Sequence, residues 1–178
     1  MKGVLFNVVE DVVDDTLPAG TWDGALELAA CHGAYTSLGD YPDAELAGIV
    51  ASVSSLTGLD RSEVLRHAGR HGFSRLADRH PELLEGVDDL DGLLRRLDDV
   101  IHPEVLKLYP QAHPPSFRVD GDGAGTWAVE YSSRRELCHL AEGLIMGAGD
   151  HFGTPVEVHQ TSCTQRGDDR CVLQVSRS

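Results

Sequence analysis

Near residue 114 the hydrophobic pattern changes its period, and this change restricts the fold more than any other feature of the 178-residue chain. Upstream, apolar residues recur three and four apart. Leu5, Val8, Val9, Val12 and Val13 form one such set, Ala25, Leu26, Leu28 and Ala29 after Trp22 a second, and Leu46, Ile49, Val50 and Val53 a third. That spacing lays an apolar stripe along a helix. Asp43 is placed to cap the third helix, Gly58 to stop it, and Asp60 to open another over Ser62-Glu63-Val64-Leu65. A further stripe of Leu90, Leu93, Leu94, Leu97 and Ile101 leads straight to His102. Pro103 then removes a backbone donor and disfavours helical geometry before it, so a kink or restart is expected there.

Downstream, Phe117-Arg118-Val119-Asp120 and Trp127-Ala128-Val129-Glu130-Tyr131 alternate apolar with polar across a Gly-Asp-Gly turn. Residues 156–163 and 171–175 do the same around Arg166-Gly167-Asp168-Asp169. Two hairpins of this kind predict a four-stranded antiparallel sheet. Between them Leu137, Leu140, Ala141, Leu144 and Ile145 predict one helix, ended by glycines. The expected fold is therefore α+β: a helical N-terminal lobe, about residues 1–65, shares a core with a C-terminal sheet lobe, about 66–178. The length suits a single domain.

A formal net charge of −14 repels phosphate backbones, so nucleic acid is not an expected partner. No apolar run reaches the roughly 20 residues of a membrane span. The opening Met1-Lys2-Gly3-Val4-Leu5-Phe6-Asn7 lacks the apolar core of a secretory signal, which points to the cytoplasm.

Two groups of residues carry chemistry. His102 offers an imidazole, and about thirty residues later Tyr131, Ser133 and Arg135 stand at alternate positions, which on a strand would face one side. Two hydroxyls and a planar cation make a carboxylate clamp. An imidazole for iron and a clamp for two propionates together suit a haem. Each residue also has an ordinary reading: a lone histidine is more often a satisfied core or surface group, and a polar strand face is usually hydrated.

The pattern as a whole resembles the haem nitric oxide/oxygen-binding (H-NOX) family, bacterial relatives of the haem domain of soluble guanylate cyclase. The resemblance rests on residues 1–7, on Ile101-His102-Pro103-Glu104-Val105 with Leu108-Tyr109-Pro110, on Pro115-Ser116-Phe117, and on Tyr131-Ser132-Ser133-Arg134-Arg135. It implies haem b, with His102 as proximal ligand, Tyr131, Ser133 and Arg135 as the propionate clamp, and Pro115 pressing on the porphyrin. It places Leu5, Val9, Leu140 and Leu144 around the distal pocket. Leu140 stands where oxygen-binding members carry a tyrosine, which implies NO and, more weakly, CO as ligands, with oxygen excluded. His139 is turned about 100° from Leu140 on a helix. The implied signal is a weakened bond from His102 to iron and a rotation of the lobes, passed to a partner such as a histidine kinase or a cyclic-di-GMP enzyme. A haem enzyme is the rival class, but it would want acid or base groups where Leu140 stands.

Cys163 and Cys171 flank the second hairpin turn, and Cys138 begins the helix beside it. Three thiolates can bind zinc. Free buried thiols, a Cys163 to Cys171 disulfide and a thiol redox sensor working with or without haem remain open. Some H-NOX members add a histidine three residues before the second cysteine; Gln160 stands there, with His159 one residue away. On a straight strand His159 would lie about 13 Å from Cys163, so it could join the thiolates only across a bend. His139 or water could substitute. Cys31 stands apart and is expected in the core.

Overall fold

A computed structural model describes residues 1–178. Helix α1 (Gly3–Thr16) packs its valine stripe against α2 (Thr21–Ala29), α3 (Asp43–Thr57) and the first half of α4 (Arg61–Arg79). The α2 stripe is shorter than its sequence suggests: Trp22 and Ala25 are buried, while Leu28 is largely exposed. Asp60 and Glu63 form a reciprocal capping box at the start of α4, with the Asp60 N–H donating to the Glu63 carboxylate at 2.8 Å. Such a box satisfies two otherwise orphaned helix donors. Gly58 ends α3 in the left-handed conformation, φ 77°. Asp43 does not cap α3. It lies inside the first turn behind Pro42, and its carboxylate is drawn away to two cationic groups, the chain's amino group and Arg135.

The stretch leading to His102 also differs from expectation. Helix α5 (Leu90–Arg96) passes through a π-helical turn (Leu97–Ile101) into α6 (His102–Leu108) without a break. His102 stays helical at φ −65° and ψ −37°, and its N–H reaches back five residues to the Leu97 carbonyl. A proline ring would meet the carbonyl four residues back in a regular helix, and the wider π turn lies just where that clash would fall. Pro103 occupies the first turn of α6, where its missing donor is not needed.

Strands β1 (Ser116–Gly121), β2 (Thr126–Ser132), β3 (Val156–Ser162) and β4 (Cys171–Arg177) form one antiparallel sheet in the order β1-β2-β4-β3. Helix α7 (Cys138–His151) lies against its apolar face. The core is not single. Phe6, Trp22, Ile49 and Val53 anchor one cluster, and Leu94, Trp127, Val129 and Leu173 anchor another. Helix α7 serves both, giving Leu140 to the first and Ala141 and Ile145 to the second. Its glycines do not end it. A Cβ on Gly143 would fall 2.1 Å from the Arg66 carbonyl oxygen, and one on Gly147 would fall 2.3 Å from that of Arg70. The glycines are there because α4 crosses α7 in backbone contact. The helix stops at Phe152, just before Gly153.

Candidate functional site

Between the two core clusters lies a cavity of about 330 Å³. Its walls follow from the helical stripes: α1, α4 and α7 close one side, and α5, the π turn and α6 close the other. To the first side these helices contribute Val4 and Leu5, Phe73, Leu76 and Ala77, and Leu140, Ala141, Leu144, Ile145 and Ala148. Every one is apolar. The opposite side carries Leu93, Leu97, Ile101 and Val105 around His102. Pro115 and the loop before it close one end, where Tyr131, Ser133 and Arg135 also reach the cavity.

His102 has only one ring nitrogen engaged. Nδ1 lies 3.2 Å from an Asp98 carboxylate oxygen, and no protein group bonds Nε2. A carboxylate can only accept, so Nδ1 carries the hydrogen and Nε2 keeps its lone pair. Burial pushes the His102 pKa below its ordinary value, against the opposing pull of Asp98. The imidazole is thus a neutral donor on a mostly apolar wall.

The clamp does not lie along a strand. β2 ends at Ser132, and Ser133 to Leu137 turn toward α7, with Glu136 in the left-handed region at φ 53°. The turn brings the Ser133 hydroxyl to the Arg135 N–H at 3.2 Å, and the Leu137 N–H to the Tyr131 hydroxyl, also at 3.2 Å. Tyr131 is held above the usual phenol range chiefly by burial. Arg135 donates through Nε to both Asp43 oxygens at 3.0 and 2.9 Å and through Nη1 to the His113 carbonyl at 2.6 Å. Its Nη2 has no protein partner and stays available to an anion. Asp43 also lies 2.9 Å from the chain's amino group. Burial would raise its carboxyl, but the ammonium and Arg135 outweigh burial and hold it low.

Val9 does not reach the cavity; it faces into the N-terminal core, one turn of α1 beyond Leu5. Other polar residues line it as well, among them Lys2, Asp40 and Gln111, and His80 with Tyr109, which are joined ring nitrogen to hydroxyl at 3.0 Å. The other His80 nitrogen meets Glu82 at 3.0 Å. Sequence patterning passed over Asp98, although its place four residues before His102 is a helical spacing visible in the sequence.

The cysteines form a second cluster. Cys138, Cys163 and Cys171 are buried, and their sulfurs all lie within 4.8 Å of one another. Burial and the neighbouring Cys163 push the Cys138 thiol up to about 12. Burial would raise Cys171 too, but the Thr164 N–H and hydroxyl, each 3.3 Å from its sulfur, bring it below the ordinary value. His159 is not part of this group. Strand alternation turns it outward beside Glu157, 73 % exposed, and the β3 irregularity comes only after Gln160. Gln160 takes the inner position: its amide nitrogen bonds His139 and Glu142, and its buried Oε1 has no partner. His139 is thereby committed to Gln160 and Glu142, away from the cavity. Cys31 is half-buried at the edge of the N-terminal core.

A profile of the Haem-NO-binding family matches residues 2–160. An H-NOX protein from S. oneidensis in the Fe(II)NO state is 34 % identical and superposes with a TM-score of 0.92, covering 100 % of this chain and 99 % of that one. The S. oneidensis H-NOX domain in the Fe(II)CO state gives 34 % and 0.88 over the same shares. The unliganded Fe(II) H-NOX protein from K. algicida gives 27 % and 0.87, covering 100 % of this chain and 97 % of that one. A search of curated sequences finds no match.

Proposed function

The chain belongs to the Haem-NO-binding (H-NOX) family of sensor domains, which are not themselves enzymes, and from that premise we propose that it senses nitric oxide at a ferrous haem and excludes oxygen. The cavity has the donor set such a group requires. It offers one neutral imidazole with a free Nε2, an apolar slot, and at one end two hydroxyls and a guanidinium with an uncommitted Nη2. When bound, the haem would supply a ferrous iron that takes up diatomic gases. His102 would hold the iron, Tyr131, Ser133 and Arg135 would hold the propionates, and Pro115 would press on the porphyrin edge.

The selectivity rests on one observation: the cavity-facing side chains of α1, α4 and α7 are all apolar. Oxygen on ferrous iron gathers negative charge and is retained when a nearby donor bonds it, whereas NO needs no such help. Leu140 occupies the position from which a hydroxyl could reach. An ultraviolet-visible spectrum of the reduced protein under nitrogen, in air and with NO tests this. The expected spectra are identical under nitrogen and in fresh air, with new bands under NO and, at higher concentration, CO; a persistent oxygen complex would overturn the selectivity.

Signalling would begin at His102. A pull on or release of that side chain moves the π turn and α6, while Arg135 and Asp43 tie the clamp to α3 in the N-terminal lobe. We infer that this linkage turns ligand binding into a rotation of residues 1–65 against 66–178. The receiver would be a signalling protein such as a histidine kinase or cyclic-di-GMP enzyme. No helix is long and apolar enough to cross a membrane, and we place this exchange in the cytoplasm.

A second reading belongs to the cysteines. Three buried thiols within 4.8 Å suit a structural zinc, with the fourth position left to water or Gln160 rather than His159. The same three thiols suit a redox sensor working beside the haem. Zinc stoichiometry together with a thiol count under denaturing conditions distinguishes the two.

A further inference from the structure

Asp98 makes two bonds with its two oxygens, and they join the candidate iron ligand to the sheet. Oδ1 meets His102 Nδ1 at 3.2 Å, and Oδ2 accepts from the Phe117 N–H at 2.8 Å. The first bond spans one helical turn and the second spans nineteen residues. Phe117 lies on β1, the edge strand of the sheet, so its outward N–H has no neighbouring strand to receive it. The Phe117 ring packs 5.7 Å from the His102 ring and 5.5 Å from that of Tyr131. Asp98 therefore stands where the π turn, the edge strand and the imidazole meet.

We propose that Asp98 is the positioning residue of His102: it fixes the Nδ1–H tautomer, strengthens the Nε2 donor, and carries displacement of the imidazole to β1. This rests on the reading of His102 as the haem ligand. Carboxylates that accept the far N–H of a ligating histidine act in this way, because that bond makes the free nitrogen more basic. A backbone carbonyl in the same place would do so more weakly, since it bears no full charge. Asp98 would thus set how firmly His102 holds an iron. A firmer bond favours retention of the histidine, and a weaker one favours its release. The Phe117 N–H bond gives the carboxylate a fixed point on the sheet, so the imidazole cannot shift without straining β1 or breaking one of the two bonds.

The test is Asp98→Asn in the haem-loaded chain, read by the iron–histidine stretching band of the reduced, gas-free protein and by the reduction potential. The asparagine keeps the volume but loses the charge. The stretching band should move to lower frequency, the potential should rise, and the NO complex should contain a larger fraction with histidine released. Asp98→Glu should restore part of the shift. A mere edge cap for Phe117 would alter stability and leave the band and potential in place, and that result overturns the inference. A second measurement does not depend on folding of that variant. In His102→Gly supplied with free ligands, imidazole can donate to Asp98 and 1-methylimidazole cannot, so imidazole should bind about 10-fold more tightly. Equal binding overturns the inference. Absence of any iron–histidine band in the wild-type protein would instead overturn the haem reading, and this inference with it.

Discussion

Gly143 of α7 faces Arg66 of α4 so closely that a Cβ on the glycine would lie 2.1 Å from the arginine carbonyl oxygen. Backbone cannot retreat as a side chain can. The contact fixes the separation of two helices that both line the cavity, and beside it the Arg66 guanidinium reaches the buried Glu142 at 2.8 Å. Gly143→Ala should force α4 and α7 apart and destabilise the protein by about 1–3 kcal/mol, the usual cost of overpacking. Urea unfolding would show a lower midpoint with an unchanged slope. The widened cavity should also bind CO with altered affinity.

Leu140 tests the distal wall directly. Leu140→Tyr would place a hydroxyl where α7 now offers only carbon. One neutral hydrogen bond to a bound gas contributes about 1 kcal/mol, which lengthens the residence of oxygen roughly fivefold. In air the reduced variant should show bands of an oxygen complex that the wild-type protein lacks, while NO binding changes little. The paired variant His139→Ala should leave both gases unaffected, because His139 is committed to Gln160 and Glu142.

The Asp43 to Arg135 pair should weaken in acid. The Asp43 carboxyl is held below its ordinary value by the chain's amino group and Arg135, which outweigh burial. Its unfolded value is about 3.9. A carboxyl with a depressed folded value contributes stability that is complete above the unfolded value and is lost as the pH falls through the folded one. The pair is half-exposed, so the contribution is small. The difference in thermal midpoint between wild type and Asp43→Asn should be constant between about pH 5 and pH 7 and shrink below about pH 4.

These predictions draw on parts of the structure that differ in how well the sequence displays them. The sheet and α7 were legible because strand alternation and helical spacing are local, and Phe117, Trp127, Leu140 and Ile145 obey them. The glycines of α7 misled because glycine marks both a helix stop and a close crossing, and only the position of α4 decides between them. Asp43 misled for a similar reason: a cap needs only its own helix, whereas Arg135 is ninety-two residues away. Ser133 and Arg135 were identifiable as residue types, but strand alternation does not explain their meeting, since β2 ends one residue earlier. The π turn before His102 leaves no periodic signature at all, although Asp98 at a spacing of four was visible.

The cysteine cluster allows a prediction in which a nearby histidine should not matter. His159 points outward beside Glu157, so His159→Ala should leave zinc content and thiol protection unchanged. Cys171→Ser removes the sulfur that Thr164 meets with its N–H and its hydroxyl, and should abolish zinc content and thiol protection alike. Gln160→His would put an imidazole at the inner position, where the amide oxygen now lies buried without a partner, and should slow zinc loss to a chelator. If zinc is bound, a free concentration a hundredfold above its dissociation constant stabilises the fold by about 2.7 kcal/mol, and chelation should lower the thermal midpoint to match. Elemental analysis beside thermal melts with and without chelator measures all of this. A His159→Ala protein that lost its zinc would show that β3 bends inward in solution and would move the fourth ligand to the strand.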